Sequence, residues 1–172
     1  MIKISSEAEL LSTFRPIDRE EVILTDKITF PILLTDYVAW VEPSGHRVYL
    51  VFQDPSERGG AAWGVVFKRS QGPGDTMQMC QWCHSVRGGR SVSLLTAAVT
   101  PKNRIGVHVC SDLSCKDKVL GLPGVNDLRE PYSRFEKLFK VLYRMSDFVR
   151  YSLLERNSGA VRQAAKSTRP VH

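Results

Sequence analysis

Four cysteines constrain this chain more than any other feature. Cys80 and Cys83 stand in Cys-Gln-Trp-Cys, and Cys110 and Cys115 stand in Cys-Ser-Asp-Leu-Ser-Cys. The 172 residues contain no other thiol. Two short loops that each present a pair of thiolates supply the tetrahedral corners that zinc prefers, with Zn–S bonds of about 2.3 Å. A closed structural zinc site uses all four residues and leaves none over. A thioredoxin-like pair at Cys80 and Cys83 would need a strand-to-helix setting that Met77–His84 lacks, and would leave Cys110 and Cys115 idle. An iron-sulfur cluster or four ordinary buried thiols are the remaining readings. His84 and His108 lie close to the pairs. His84 follows the knuckle and His108 alternates along a strand, so neither is read as a ligand.

The redox setting bears on that choice. The start, Met1–Phe14, carries Lys3, Glu7 and Glu9 instead of a basic stretch followed by an apolar run. No secretory leader is read, and a reducing, cytoplasmic compartment is expected, which favours metal ligation over disulfides. No run approaches the roughly 18 apolar residues of a membrane span. With 42% hydrophobic and 24% charged residues, the chain has material for both a core and a soluble surface.

The order of elements around the cysteines is informative. Gly88-Gly89 follows the first pair, then a strand over Ser91–Val99, a turn at Thr100–Asn103 and a strand over Ile105–Val109. After Cys110, Asp112 is a good helix N-cap, so a helix is expected over Leu113–Leu120. Knuckle, hairpin and helix in that order make a treble clef, and the finger spans about residues 77–122. The helix would bring its positive end to the thiolates.

Ahead of the finger, Ser6-Glu7-Ala8-Glu9 is a capping-box pattern for a short helix to Phe14, stopped by Pro16, with a second helical or turn segment around Asp18–Leu24. Pro31 breaks Ile28–Leu34 into an irregular or edge segment. Three β-branched and aromatic runs follow, Tyr37–Val41, Arg47–Phe52 and Ala62–Phe67, separated by turn chemistry, and they read as an antiparallel meander. Arg69–Asp75 is a loop. Behind the finger, Pro131 fits a first helical position, and Phe135, Leu138, Phe139, Leu142, Val149 and Leu153 mark the inner face of a long helix over about 131–156. Arg134, Lys137, Lys140, Arg144 and Arg150 occupy the opposite face, which reads as a solvated face or as part of a docking face, the solvated reading being favoured. Residues 158–172 lack periodic apolar positions and read as a disordered tail. The expected fold is α+β over residues 1–157 as one domain: a β-meander, a four-cysteine treble-clef zinc finger and a long C-terminal helix.

The net charge of +6 is unevenly spread. Residues 1–43 hold four basic against eight acidic side chains, residues 80–120 six against two, and residues 121–172 ten against five. Such asymmetry suits an anionic partner for the C-terminal half, nucleic acid or an acidic protein face. No glycine-rich phosphate loop, Ser/His/Asp spacing or paired carboxylate is present, so a binding module without catalysis or a small-molecule substrate is the simpler expectation. Trp82 lies between two ligands and either stands exposed as an interface anchor or covers the metal and packs on the last helix. Arg87, Arg90, Lys116 and Lys118 ring the same site and complete the candidate partner-binding set.

Cys80-x-x-Cys83-His84, two strands, then Cys110-x-Asp112-Leu113-x-Cys115 resembles the zinc-finger domain of the bacterial FusB-type, elongation factor G-binding proteins, or FBP domain. The similarity extends over about Leu10–Arg156. It implies one structural zinc on the four cysteines and binding of elongation factor G or another translational GTPase, with factor release from the ribosome and contact with rRNA as possible extensions. Members that confer fusidic acid resistance carry a helical bundle ahead of this domain, where this chain has some 36 residues before its first meander strand. The alternative is direct RNA or DNA binding through the same basic surface.

Overall fold

A computed structural model of the chain describes residues 1–56, 60–70, 77–87, 91–121 and 133–155. The meander strands form as their composition predicts: β3 (Tyr37–Val41), β4 (Arg47–Gln53) and β5 (Ala62–Arg69) pair antiparallel in sequence order. The finger hairpin, β8 (Val92–Ala98) and β9 (Arg104–Cys110), does not stand apart from them. Phe67 pairs with Ala97 and Arg69 with Leu95, so β8 adds to β5 and one five-stranded sheet runs in the order β3-β4-β5-β8-β9.

That sheet is covered on both faces, which explains why β4 reads as an unbroken apolar run instead of an alternating one. Val48, Leu50 and Phe52 point to one core with Val65 and Phe67 of β5. Tyr49 and Val51 point to the other with Val66. The second core is closed by the N-terminal segment: β1 (Ile2–Ile4), α1 (Glu7–Thr13), α2 (Pro16–Arg19) and β2 (Ile32–Leu34). Here Trp40 stacks on Tyr49 at 5.0 Å, and Phe14 meets the Trp40 edge at 6.1 Å. Phe14 lies directly over Gly64, where any Cβ would stand 2.6 Å from its ring.

Several expectations about the ends of elements are corrected. Pro16 does not merely stop α1; it opens α2, because proline's fixed φ and missing N–H suit a first helical position. Ile2–Ile4, too short to signal a strand alone, pairs antiparallel with the β2 segment that follows Pro31. The long helix starts at α4 (Arg134–Asp147), capped by Ser133 and Glu136 in a reciprocal capping box, and passes into a π-helical segment, Phe148–Glu155. The Pro131 start and the tail over 158–172 lie outside the described residues. Leu138, Leu142, Val149 and Leu153 are core as expected, joined by Val141 and Met145. Phe135 and Phe139 are not: they are 79% and 49% exposed, because positions 138, 141, 142 and 145 centre the buried stripe and leave 135 and 139 on its flank. Arg144 and Arg150 also leave the solvated face. Arg144 donates to the Trp82 carbonyl, and Arg150 donates from both Nε and Nη2 to Oδ2 of the buried Asp54 carboxylate. No described helix is long and apolar enough to cross a membrane.

Candidate metal centre

The short hairpin β6 (Gln78–Met79) and β7 (Val86–Arg87) carries the first cysteine pair in its turn. Its amide ladder shapes a knuckle in which Cys80 N–H donates to the Ser85 carbonyl, and His84 N–H donates back to the Cys80 carbonyl. The knuckle is fastened to β9 by the Gln81 N–H, which donates to the His108 carbonyl at 2.8 Å. The second pair straddles the end of β9 and the start of α3 (Cys115–Leu120). Asp112 does not cap that helix as expected. Its carboxylate accepts the Ser114 N–H and hydroxyl at 3.0 and 2.6 Å, a local turn that competes with the helix and delays its start to Cys115. Leu113, with φ of 58°, makes the reversal that swings Cys115 back towards Cys80.

All four Sγ atoms lie within 4.8 Å of one another. Cys80–Cys115 and Cys83–Cys110 are each separated by 3.6 Å. A tetrahedron of sulfurs at zinc-thiolate bond lengths has edges of about 3.8 Å, so the cluster has the size that a single zinc ion takes. The same separations are far outside the S–S length of about 2.05 Å, and all four thiols are free. Four sulfurs this close cannot all ionise unaided. The hydrogen bond with the Cys110 thiol leads in holding Cys80 down to about 6, while hydrogen bonding to Cys110, then to Cys80 and Cys83, pushes Cys115 far up. A divalent cation among them would remove that conflict and favour four thiolates. His84 is exposed with a left-handed backbone, and His108 sits partway along β9; neither joins the cluster.

The surroundings revise the partner-binding set. Trp82 is 2% exposed. It packs edge-on against Phe67 of the sheet at 6.0 Å and Phe148 of the last helix at 6.3 Å, so it covers the knuckle from inside and is not a surface anchor. Lys116 turns its ammonium to both carboxylate oxygens of Asp36, at 2.7 and 2.6 Å. Lys118 turns its own to Cys110 Sγ at 3.0 Å. Sequence reasoning placed these lysines near the metal but not their internal partners. It also missed Ser85, whose hydroxyl lies 3.1 Å from Cys83 Sγ, and Tyr37, whose hydroxyl bridges the two ends of the Leu113–Lys116 turn. The Arg87 side chain and Arg90 lie outside what the structure describes.

Residues 18–151 match the family described as the FBP C-terminal treble-clef zinc-finger. The chain belongs to this family. Membership and the sulfur geometry together identify the cofactor as one structural zinc, and the α+β architecture is that of a family finger built into a larger sheet. Among solved structures, one titled "Structure of the fusidic acid resistance protein FusC" is similar over 89% of this chain at 16% identity and a TM-score of 0.46. The chain spans 58% of that protein's length. Among curated proteins, none matches.

Proposed function

We propose that this chain is a zinc-stabilised adaptor that binds elongation factor G and acts without catalysing a reaction. The family match over residues 18–151, centred on the four-cysteine finger, carries the reading. The disposition of surface side chains favours a protein partner over nucleic acid. Of the basic side chains once available for phosphates, Lys116, Lys118, Arg144 and Arg150 are engaged inside the domain. In contrast, large apolar side chains stand in the open. Phe135, Phe139 and Tyr143 recur every four residues along α4, and Met79 and Val86 face each other across the knuckle hairpin. Aromatic residues and methionine are the types enriched where protein partners meet. Arg87, which ends β7, and Arg90, three residues later in the sequence, would steer an acidic face of the factor towards the finger. Such a role places the protein in the cytoplasm with the translation machinery, where docking on the factor could promote its departure from the ribosome.

Titration of purified elongation factor G into the zinc-loaded chain, with and without competing RNA, tests this. A stoichiometric complex that survives moderate salt and RNA is expected, and Phe139→Ala should weaken it while leaving the unfolding transition in place. Absence of a complex, with steeply salt-dependent binding to RNA instead, would establish the nucleic-acid reading.

A further inference from the structure

The four sulfurs of the metal centre are not equivalently supported. Cys80 Sγ receives the Cys83 N–H at 3.4 Å, and Cys83 Sγ faces the Ser85 hydroxyl at 3.1 Å. Among the described residues, Cys110 Sγ alone of the four faces a cation, the Lys118 ammonium at 3.0 Å. Zinc with four thiolates leaves two negative charges in excess, and in a buried site that excess is costly unless paired. Lys116, two residues earlier on α3, cannot share the task because Asp36 holds it. Lys118 is thus the only cation that touches a cluster sulfur among the described residues.

We propose that Lys118 is a positioning residue of the metal centre: its N–H donation to Cys110 neutralises part of the cluster's charge, holds that thiolate on the metal and makes the zinc slow to leave. The assignment is independent of which macromolecule the domain binds. Groups of this kind around zinc ligands typically change metal affinity by about 10–100-fold when removed.

The experiment compares zinc release from the full chain to an excess of chelator at one pH for wild type, Lys118→Met, Lys118→Gln, Lys118→Arg and Lys116→Met. Neutral replacement at 118 should speed release by about 10–100-fold. Lys118→Arg, which retains charge and donors, should restore slow release, and Lys116→Met should resemble wild type. Cobalt-substituted protein supplies a readout that a purely structural role would not move. Loss of the ammonium raises the sulfur lone-pair energy, so the sulfur-to-cobalt charge-transfer band should shift to longer wavelength in both neutral variants and return in Lys118→Arg. If Lys118→Met does not fold, Lys118→Gln carries the comparison. Unchanged release and an unchanged band in a folded neutral variant would overturn the assignment, as would failure of Lys118→Arg to restore both.

Discussion

The Tyr37 hydroxyl accepts the backbone N–H of Lys116 at 2.6 Å while donating to the Leu113 carbonyl at 2.7 Å. One phenol on the first meander strand thereby satisfies both sides of the turn that presents Cys115, and an amide of the first helical turn that has no partner within α3. Burial pushes the Tyr37 hydroxyl well above its ordinary pKa, so it stays protonated and can keep donating. Tyr37→Phe should cost about 1–3 kcal/mol in urea unfolding. It should also weaken zinc binding, since Cys115 loses its support; unaltered stability and zinc affinity would show the bridge to be idle.

The cysteines make a separate prediction. The chain should carry one zinc per molecule by elemental analysis. Cys80→Ser or Cys115→Ser should lose it and destabilise the fold on the order of several kcal/mol, because ligand binding energy is folding energy in such sites. A strong chelator should lower the unfolding temperature of the wild type and leave that of the metal-free variants where it is.

Asp54 couples the end of β4 to the last helix. Its carboxylate is almost wholly buried and accepts from Ser56, Ser146 and Arg150. Burial alone would raise its pKa, but the donors outweigh that and hold it below the ordinary carboxylate value. A depressed folded value means that its contribution is present above the unfolded pKa of about 3.9 and disappears as pH falls through the folded one. Asp54→Asn should therefore lower stability at pH 7 by about 1–3 kcal/mol and make the remaining stability less sensitive to pH below about 4. Parallel acid-unfolding profiles for the two proteins would refute this.

Gly64 predicts a packing cost. Alanine there would put its Cβ against the Phe14 ring, and overpacking of this kind typically costs about 1–3 kcal/mol. Gly64→Ala combined with Phe14→Leu should be less destabilised than the sum of the two single variants, as a double-mutant cycle in denaturant would measure.

The legible parts of the fold were those encoded by local pattern. Tyr37–Val41 and Arg47–Gln53 declared themselves as strands through β-branched and aromatic composition, and Cys80, Cys83, Cys110 and Cys115 declared a metal cluster through spacing alone. The failures share a cause as well. Asp112 has the side chain of a helix cap, yet it closes its own turn with Ser114, because either bond satisfies the carboxylate and the local sequence does not choose between them. Phe135 and Phe139 have the periodicity of core residues, yet a helix with apolar positions on two adjoining stripes does not say which stripe faces inward.

From its residue order, then, the chain determined a β-meander, a four-cysteine treble clef and a C-terminal helix, since each rests on contacts between residues close in sequence or on one ligand chemistry. Tertiary structure decided which side chains remain available to a partner. Trp82 was drawn inward by Phe67 and Phe148, Lys116 by Asp36, Lys118 by Cys110 and Arg150 by Asp54. Those choices depend on joining β8 to β5 and laying the last helix across the sheet. Burial and charge pairing between distant segments act only after that assembly, so no local pattern could announce them.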